Sequence, residues 1–380
     1  MRSTFDVIVL GVGGFGSAAC YHLARRGLRV LGLEQFGCAH DRGSSHGETR
    51  IIRLAYFEHP SYVPLLRRAY ALWAELETAM RRPLFRRSRL LLSGPPDGET
   101  IRGAQEAARL HGLSVQHMTA EEARRAFPGM AVPEAHAVVL EPDAGFLHVE
   151  DCVRGHWEQA VAAGAEIRVG IQAREWSAVG GGVRVRTDQG DFEAAHLVLT
   201  AGAWTSSLLR EPRLPLTVVR KFVGWFGTEG GAYHVDSGYP AFYFEQPEGA
   251  FYGFPSLDGR TVKVAEHTGG QPVAEPGTVD REVRPEDLAS LIPFLRQVLP
   301  SVREELVRHS VCLYTLTPDR HFVVDRHPDW PQVCLAAGFS GHGFKFTPVV
   351  GEVLADWVHT GRTAAPIEFL RLSRLAPATA

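Results

Sequence analysis

The sequence predicts an α/β (α+β) protein in which one domain, assembled from discontinuous pieces on a parallel sheet, holds an inserted antiparallel-sheet domain. Three observations predict it. An apolar stretch at 6–10 runs into GVGGFG and then into a helix-forming segment. A second strand followed by a glycine turn, LVLTAGAW, falls mid-chain at 197–204, and a third, CLAAGFSGHGFKF, falls at 334–346. Pieces of one nucleotide-binding fold therefore recur at long intervals, and the aromatic, glycine- and proline-rich stretch at 214–262 reads as the sheet of a second unit. The expected division is 1–85, 140–213 and 311–380 for the first domain, and 86–139 and 214–310 for the second.

The first segment is a βαβ unit: a strand at 6–10, the glycine turn, a helix at 17–26, Gly27, and a strand from 29 that ends in Glu34. An amphipathic helix is predicted over 62–79, where Leu65, Leu66, Tyr70, Leu72, Trp73 and Leu76 supply an apolar face. Shorter helices are expected at 101–111, 120–126 and 149–163. From 165 onward EIRVG, GVRVRT and DFEAAHLVLT alternate as strands do, and 197–200 reads as a buried one. Two helices are predicted across 284–299, and one at 349–360. The sequence contains no internal repeat.

Composition excludes several function classes. With 45% hydrophobic and 22% charged residues the chain has ordinary globular usage. A net charge of -3 provides neither a basic face for nucleic acid nor a polybasic segment for an anionic membrane. No apolar run reaches the roughly 18 residues of a spanning helix, and the chain starts with a strand rather than a cleavable apolar segment, so a cytoplasmic location is expected. Five scattered cysteines, with no CxxC pair, make neither a disulfide framework nor a metal site, and each reads as a small buried hydrophobe. Of the 40 basic residues only Lys221, Lys263 and Lys345 are lysines. Each survivor is a candidate for a task that a planar, permanently charged guanidinium cannot perform.

Gly11, Gly13 and Gly16 form GxGxxG between a strand and a helix, with Glu34 ending the next strand at the offset of a ribose-binding acid. The first glycine makes the tight turn, the second lets the backbone approach a pyrophosphate, and the third permits close helix packing; the helix N-terminus stabilises the phosphates. This defines a Rossmann-like dinucleotide site. The fingerprint serves FAD and NAD alike; its place at the extreme N-terminus, together with the late glycine-rich segments, resembles the arrangement in many flavoprotein oxidases, and that analogy favours FAD.

Five stretches, GSSHGETRIIRLAY (43–56), FYGFPS (251–256), VKVAEHT (262–268), VCLYT (311–315) and GFSGHGFKF (338–346), resemble in order and spacing the monomeric sarcosine oxidase and N-methyltryptophan oxidase family. The resemblance covers essentially the whole chain. It implies an FAD-binding domain with an inserted substrate domain, and FAD attached through its 8α-methyl to Cys312, a choice among five cysteines that composition could not make. It implies Ser44, His46, Thr49, Gly341 and Gly343 as further cofactor-binding residues, with Lys345 touching both cofactor and substrate. Arg53 and Lys345 become the clamp for an amino-acid carboxylate, since a bidentate guanidinium and a point-charge ammonium fix it together. Arg50 is placed beside the flavin ring. Lys263 becomes the cation that stabilises charge developing on O₂, so two of the three lysines fall on functional positions.

The same resemblance sets His267 and Tyr252 on the substrate side with Tyr314 close by. A histidine there can hold the amine proton that the substrate must lose before its nitrogen releases electrons, although the substrate can equally bind as the free amine. Tyr243 and Phe244 are expected in the pocket wall, where added aromatics either tighten it around a small N-methyl amino acid or stack on a larger side chain. The implied reaction is oxidation of the N-methyl group by the equivalent of a hydride passed to flavin, giving formaldehyde, the primary amino acid and H₂O₂, by a monomer acting on a small molecule and O₂. Rival readings are an oxidase for N-methyltryptophan or a cyclic imino acid, a dehydrogenase with another acceptor, and a non-catalytic flavin protein.

Overall fold

The computed structural model describes residues 5–209, 211–228, 231 and 233–375. Its first strand, Phe5–Leu10, is paired in parallel on both sides, with Val30–Glu34 and with Gly190–Leu199. Glu166–Val169 extends the sheet beyond the former, and Val333–Ala337 pairs in parallel with the latter. The mid-chain unit predicted from sequence is thus an immediate neighbour of the first strand and the late unit lies one strand further out, with Val9 opposite Val198 and Val198 opposite Cys334.

The period of two in a strand assigns the faces. Val7 and Val9 enter a core shared with the helices Gly14–Arg25, Val63–Met80 and Thr347–Thr360. Ile8 and Leu10 enter the opposite core with Val183 and Val185, which belong to an antiparallel arm made of Ala173–Val179, Gly182–Thr187 and the start of Gly190–Leu199. Both faces of the parallel sheet are therefore covered, as a run of continuous apolar strands requires. The predicted helices lie within a few residues of their expected positions, and the longest carries a clear apolar stripe. Val63–Met80 buries Leu65, Leu66, Leu72, Trp73 and Leu76.

Among the described residues the second large sheet has nine strands. Its centre follows the order Thr217–Thr228, Thr261–Glu266, Gly249–Phe254, Ala241–Gln246, all antiparallel, and Val302–Leu316 flanks the first of these. The sheet departs from a purely antiparallel expectation at one place: Ala241–Gln246 pairs in parallel with Leu90–Gly94, a partner about 150 residues earlier that no local pattern could reveal. Ala137–Glu141 and Val302–Leu316 belong to this sheet and run across positions 140 and 311. A small third sheet joins Thr49–Ile52, Gly145–His148 and Phe85–Arg87 between the two. No helix among the described residues is long and apolar enough to cross a membrane.

Candidate active site

The three glycine-rich turns leave the C-terminal ends of adjacent parallel strands, the place where open α/β sheets bind ligands. A cavity of about 950 Å³ starts there and ends against the second sheet. At its first end, Gly11 takes φ +81 and Gly16 packs so closely that a Cβ would meet Gly11 O at 1.9 Å, whereas a Cβ on Gly13 would meet nothing within 4 Å. The turn is tight on its inner side and open toward the cavity. Glu34 is buried, and its carboxylate accepts from Val12 N at 2.8 Å and Phe36 N at 2.9 Å; burial raises its pKa while these amides oppose the rise. Thr200 Oγ1 donates to Gly11 O at 2.8 Å and locks the mid-chain turn onto the first.

The loop 43–50 is fixed from below by Glu150, which accepts from Gly47 N at 2.7 Å and Glu48 N at 3.1 Å. It lays His46 and Arg50 against Cys312: Arg50 Nη2 is 3.4 Å from Sγ, and His46 Nδ1 is 4.0 Å from it. Burial pushes the Cys312 thiol up, but His46, Arg50 and Lys263 outweigh it and hold the group at about 6. Cys20, Cys152 and Cys334 are buried and pushed upward by burial, whereas Cys38, expected to be buried too, is exposed at the start of a loop, with its thiol also raised by partial desolvation. Cys312 is therefore the cysteine with thiolate character at neutral pH. Ser44, exposed at the cavity, donates to Leu313 O at 2.5 Å and ties the loop to the Cys312 strand.

At the far end Arg53 and Lys345 come together. Glu141 accepts from Leu54 N at 2.6 Å and Ala55 N at 2.9 Å, which sets the backbone on which Arg53 turns inward. The Arg53 guanidinium lies over Phe57 and Tyr56, with Cζ 4.0 Å and 4.3 Å from the ring centres, and donates to Glu58 at 2.5 Å. Lys345 is buried, donates to His342 O at 2.7 Å, and is seated by Trp73 Nε1, which donates to Lys345 O at 3.1 Å. Burial, then Arg53 and Arg50, bring the Lys345 ammonium down to about 7. Glu58 resists burial and is held at about 2 by Arg53, His342 and Lys345. Sequence reasoning singled out neither Glu58 nor His342, although His342 lies within GFSGHGFKF. Glu58 is one acid in an unremarked tripeptide, and His342 matters because Tyr56 OH lies 2.5 Å from its Nδ1 while its Nε2 faces Arg320 O at 3.0 Å.

Tyr243 and Tyr252 are cross-strand partners on the cavity face, and Tyr314 arrives from Val302–Leu316. Their rings surround His267, whose centre lies 5.8 Å from Tyr243, 6.3 Å from Tyr252 and 5.8 Å from Tyr314. Burial, with the positive charge of neighbouring groups, lowers the imidazole to about 3, so it is neutral at physiological pH. Gly341 takes φ +83 directly over Tyr314, where a Cβ would come within 2.2 Å of the ring. Gly343 also lines this side of the cavity. Phe244 does not belong to the wall: one residue from Tyr243, it points to the opposite face and packs on Phe294 at 5.8 Å.

Lys263 stands on the same sheet face but outside the main cavity, beside a much smaller one that it shares with Thr49, Trp225 and Phe254. Its Nζ donates to Gly47 O at 2.5 Å, Thr49 O at 2.8 Å and Thr49 Oγ1 at 3.0 Å. Thr49 thus holds Lys263, and burial followed by Arg50 drives its pKa well below that of an exposed lysine.

The glycine turns and the cationic, aromatic chamber line one continuous cavity, and the chain belongs to the FAD dependent oxidoreductase family, which it matches over residues 6–357. Within that class it is similar to monomeric sarcosine oxidase from Bacillus sp. (strain B-0618), at 41% identity over 99% of this chain and 97% of that one. It is also similar to N-methyl-L-tryptophan oxidase from Salmonella enteritidis PT4 (strain P125109), at 35% identity over 98% of this chain and 99% of that one. Among solved structures, the open form of NikD, an unusual amino acid oxidase essential for nikkomycin biosynthesis, superposes with a TM-score of 0.86 at 27% identity, covering 98% of each chain.

The residues present fit FAD. The cavity is at the large end for small-molecule sites, as a dinucleotide demands. Gly13 leaves room for the pyrophosphate, Glu34 retains lone pairs for a ribose, and two buried hydroxyls, Thr315 Oγ1 on the cavity wall and Thr347 Oγ1 at the start of Thr347–Thr360, have no protein partner among the described residues.

Proposed function

We propose that the protein is an FAD-dependent sarcosine oxidase that converts a small N-methyl amino acid, O₂ and water into the primary amino acid, formaldehyde and H₂O₂. The observation that carries this reading is the convergence of Arg53 and Lys345 on an aromatic chamber containing a neutral His267. Among the described residues Lys345 Nζ has a single hydrogen-bond acceptor, the His342 carbonyl, so it keeps protons for a substrate carboxylate. Arg53 already shares charge with Glu58 and supplies the second cation. A carboxylate held there puts the amine near His267, which at a pKa of about 3 can accept a hydrogen bond from the nitrogen but does not add a competing positive charge. Tyr243, 5.0 Å from Phe57 between ring centres, narrows the chamber and supports a small substrate.

FAD, when bound, supplies the two-electron acceptor for the C–H bond and the route to O₂. Gly11, Gly13, Gly16 and Glu34 would hold its dinucleotide end, with Ser44, His46, Thr49, Arg50, Gly341, Gly343 and Lys345 around the ring. Cys312 would carry the covalent link, a role supported by a thiol held at about 6. Lys263 would stabilise charge arising on O₂. The division into an FAD-binding domain (1–85, 140–213, 311–380) and a substrate domain (86–139, 214–310), a monomeric state and a cytoplasmic location complete the reading.

The test is anaerobic mixing of the purified yellow protein with sarcosine, N-methyltryptophan and proline, following the visible flavin band. Fast bleaching by sarcosine is the expected result. Preferential bleaching by N-methyltryptophan would move the assignment to bulky substrates, and a band unchanged by all three would remove the oxidase reading.

A further inference from the structure

Lys221 is the one lysine of three that the proposed chemistry leaves unused. It lies on Thr217–Thr228 and is 5% exposed. Its cross-strand partner is Cys312, and Val219, two residues before it, is the partner of Tyr314. Lys221, Cys312 and Tyr314 therefore project from one face of the sheet. The Nζ lies 5.6 Å from the centre of the Tyr314 ring and donates to Thr268 O at 2.5 Å. Among the described residues it makes no ion pair, and burial lowers its pKa to about 8 against a partial opposing pull from Glu266. A buried ammonium without a counter-ion is costly. Among the described residues its one hydrogen bond, to the Thr268 carbonyl, adds to the Tyr314 ring and the distant Glu266 in offsetting that cost.

That carbonyl belongs to the residue after His267. The outer side of the turn is secured by His267 N donating to Ala250 O at 2.7 Å, Ala250 N donating to Thr268 Oγ1 at 2.9 Å, and Ser290 Oγ donating to Glu266 at 2.7 Å. All of these tie it to the substrate-side strands or to the helix behind them. Lys221 ties it to the strand paired with the one bearing Cys312. We propose that Lys221 is a positioning residue for His267: through the Thr268 carbonyl it fixes the turn carrying the imidazole against the strands that carry Cys312 and Tyr314. The inference rests on the reading of His267 as the group beside the substrate nitrogen.

The test compares Lys221→Met, which removes the donor, with Lys221→Gln, which keeps a neutral donor on a side chain one atom shorter, both as flavin-loaded holoenzyme mixed anaerobically with sarcosine. A displacement of about an ångström lowers a reaction rate on the order of 10- to 100-fold. The Met variant is therefore expected to lose that much in the limiting rate of flavin bleaching, with the substrate Kd within about threefold and reoxidation by O₂ unchanged, while Gln recovers most of the rate. An unchanged Met variant would overturn the proposal. So would equal losses in bleaching and reoxidation. If Met does not fold, Lys221→Ala takes its place: slower bleaching with unchanged reoxidation supports the proposal, and a rate equal to that of the parent protein overturns it. Failure of the oxidase reading looks different, because the parent protein itself would then not bleach.

Discussion

The two ends of the large cavity are built by different means. At the dinucleotide end the working parts are backbone: a glycine at φ +81, a glycine with no space for a Cβ, a strand end and a helix start, with Glu34 the main side chain. At the opposite, cationic and aromatic end they are side chains brought from distant strands and loops, Arg53, Lys345, Tyr243, Tyr252, His267 and Tyr314, each needing its own support. Backbone geometry is set by a few consecutive residues. A constellation of side chains is set by the whole packing arrangement, and its charges shift one another, as Lys345 at about 7 and Glu58 at about 2 illustrate.

The contrast can be broken most severely at the backbone end. Gly16→Ala drives a Cβ to 1.9 Å from Gly11 O, so the purified protein is expected to be colourless, with no flavin released on denaturation. Cys312→Ser should remain yellow but lose all its flavin to the supernatant on acid precipitation, where the parent is expected to retain it; flavin still in the pellet would place the link elsewhere. Lys263→Met removes a buried hydrogen-bond donor and should slow reoxidation by O₂ about 100-fold, by analogy with loss of one charge-stabilising donor, while anaerobic bleaching survives.

Finer effects belong to the side-chain end. A bound carboxylate favours the ammonium form of Lys345, so above a pH of about 7 binding must also take up a proton. The Kd of a carboxylate without an amine, such as acetate, is expected to rise with pH by up to about tenfold per unit over that range, and Lys345→Met should flatten the dependence. Tyr243→Ala should raise the preference for N-methyltryptophan over sarcosine by about tenfold in kcat/KM, a modest change because pocket volume discriminates weakly.

Much of the fold could be read from the sequence because it is locally encoded. The glycine turn, the stripe of Leu65, Leu66, Leu72, Trp73 and Leu76, and the stop after 360 are each written in consecutive residues. The side-chain end was legible only through motif resemblance. Nothing local separates Arg53 from 36 other arginines. Phe244 was expected beside Tyr243, yet the strand period sends it to the other face, onto Phe294.

The sequence alone determined the dinucleotide turn, the succession of helices and strands, and the scarcity of lysine that marked Lys263, Lys345 and Lys221. Tertiary structure decided the parallel pairing of Leu90–Gly94 with Ala241–Gln246, the choice of Cys312 as the acidic thiol, and the meeting of Glu58, His342 and Arg53. The physical reason is range. Backbone conformation and apolar periodicity act over a few residues, whereas thiol acidity and cation placement depend on burial and on charges several ångströms away, contributed by chain segments hundreds of residues apart.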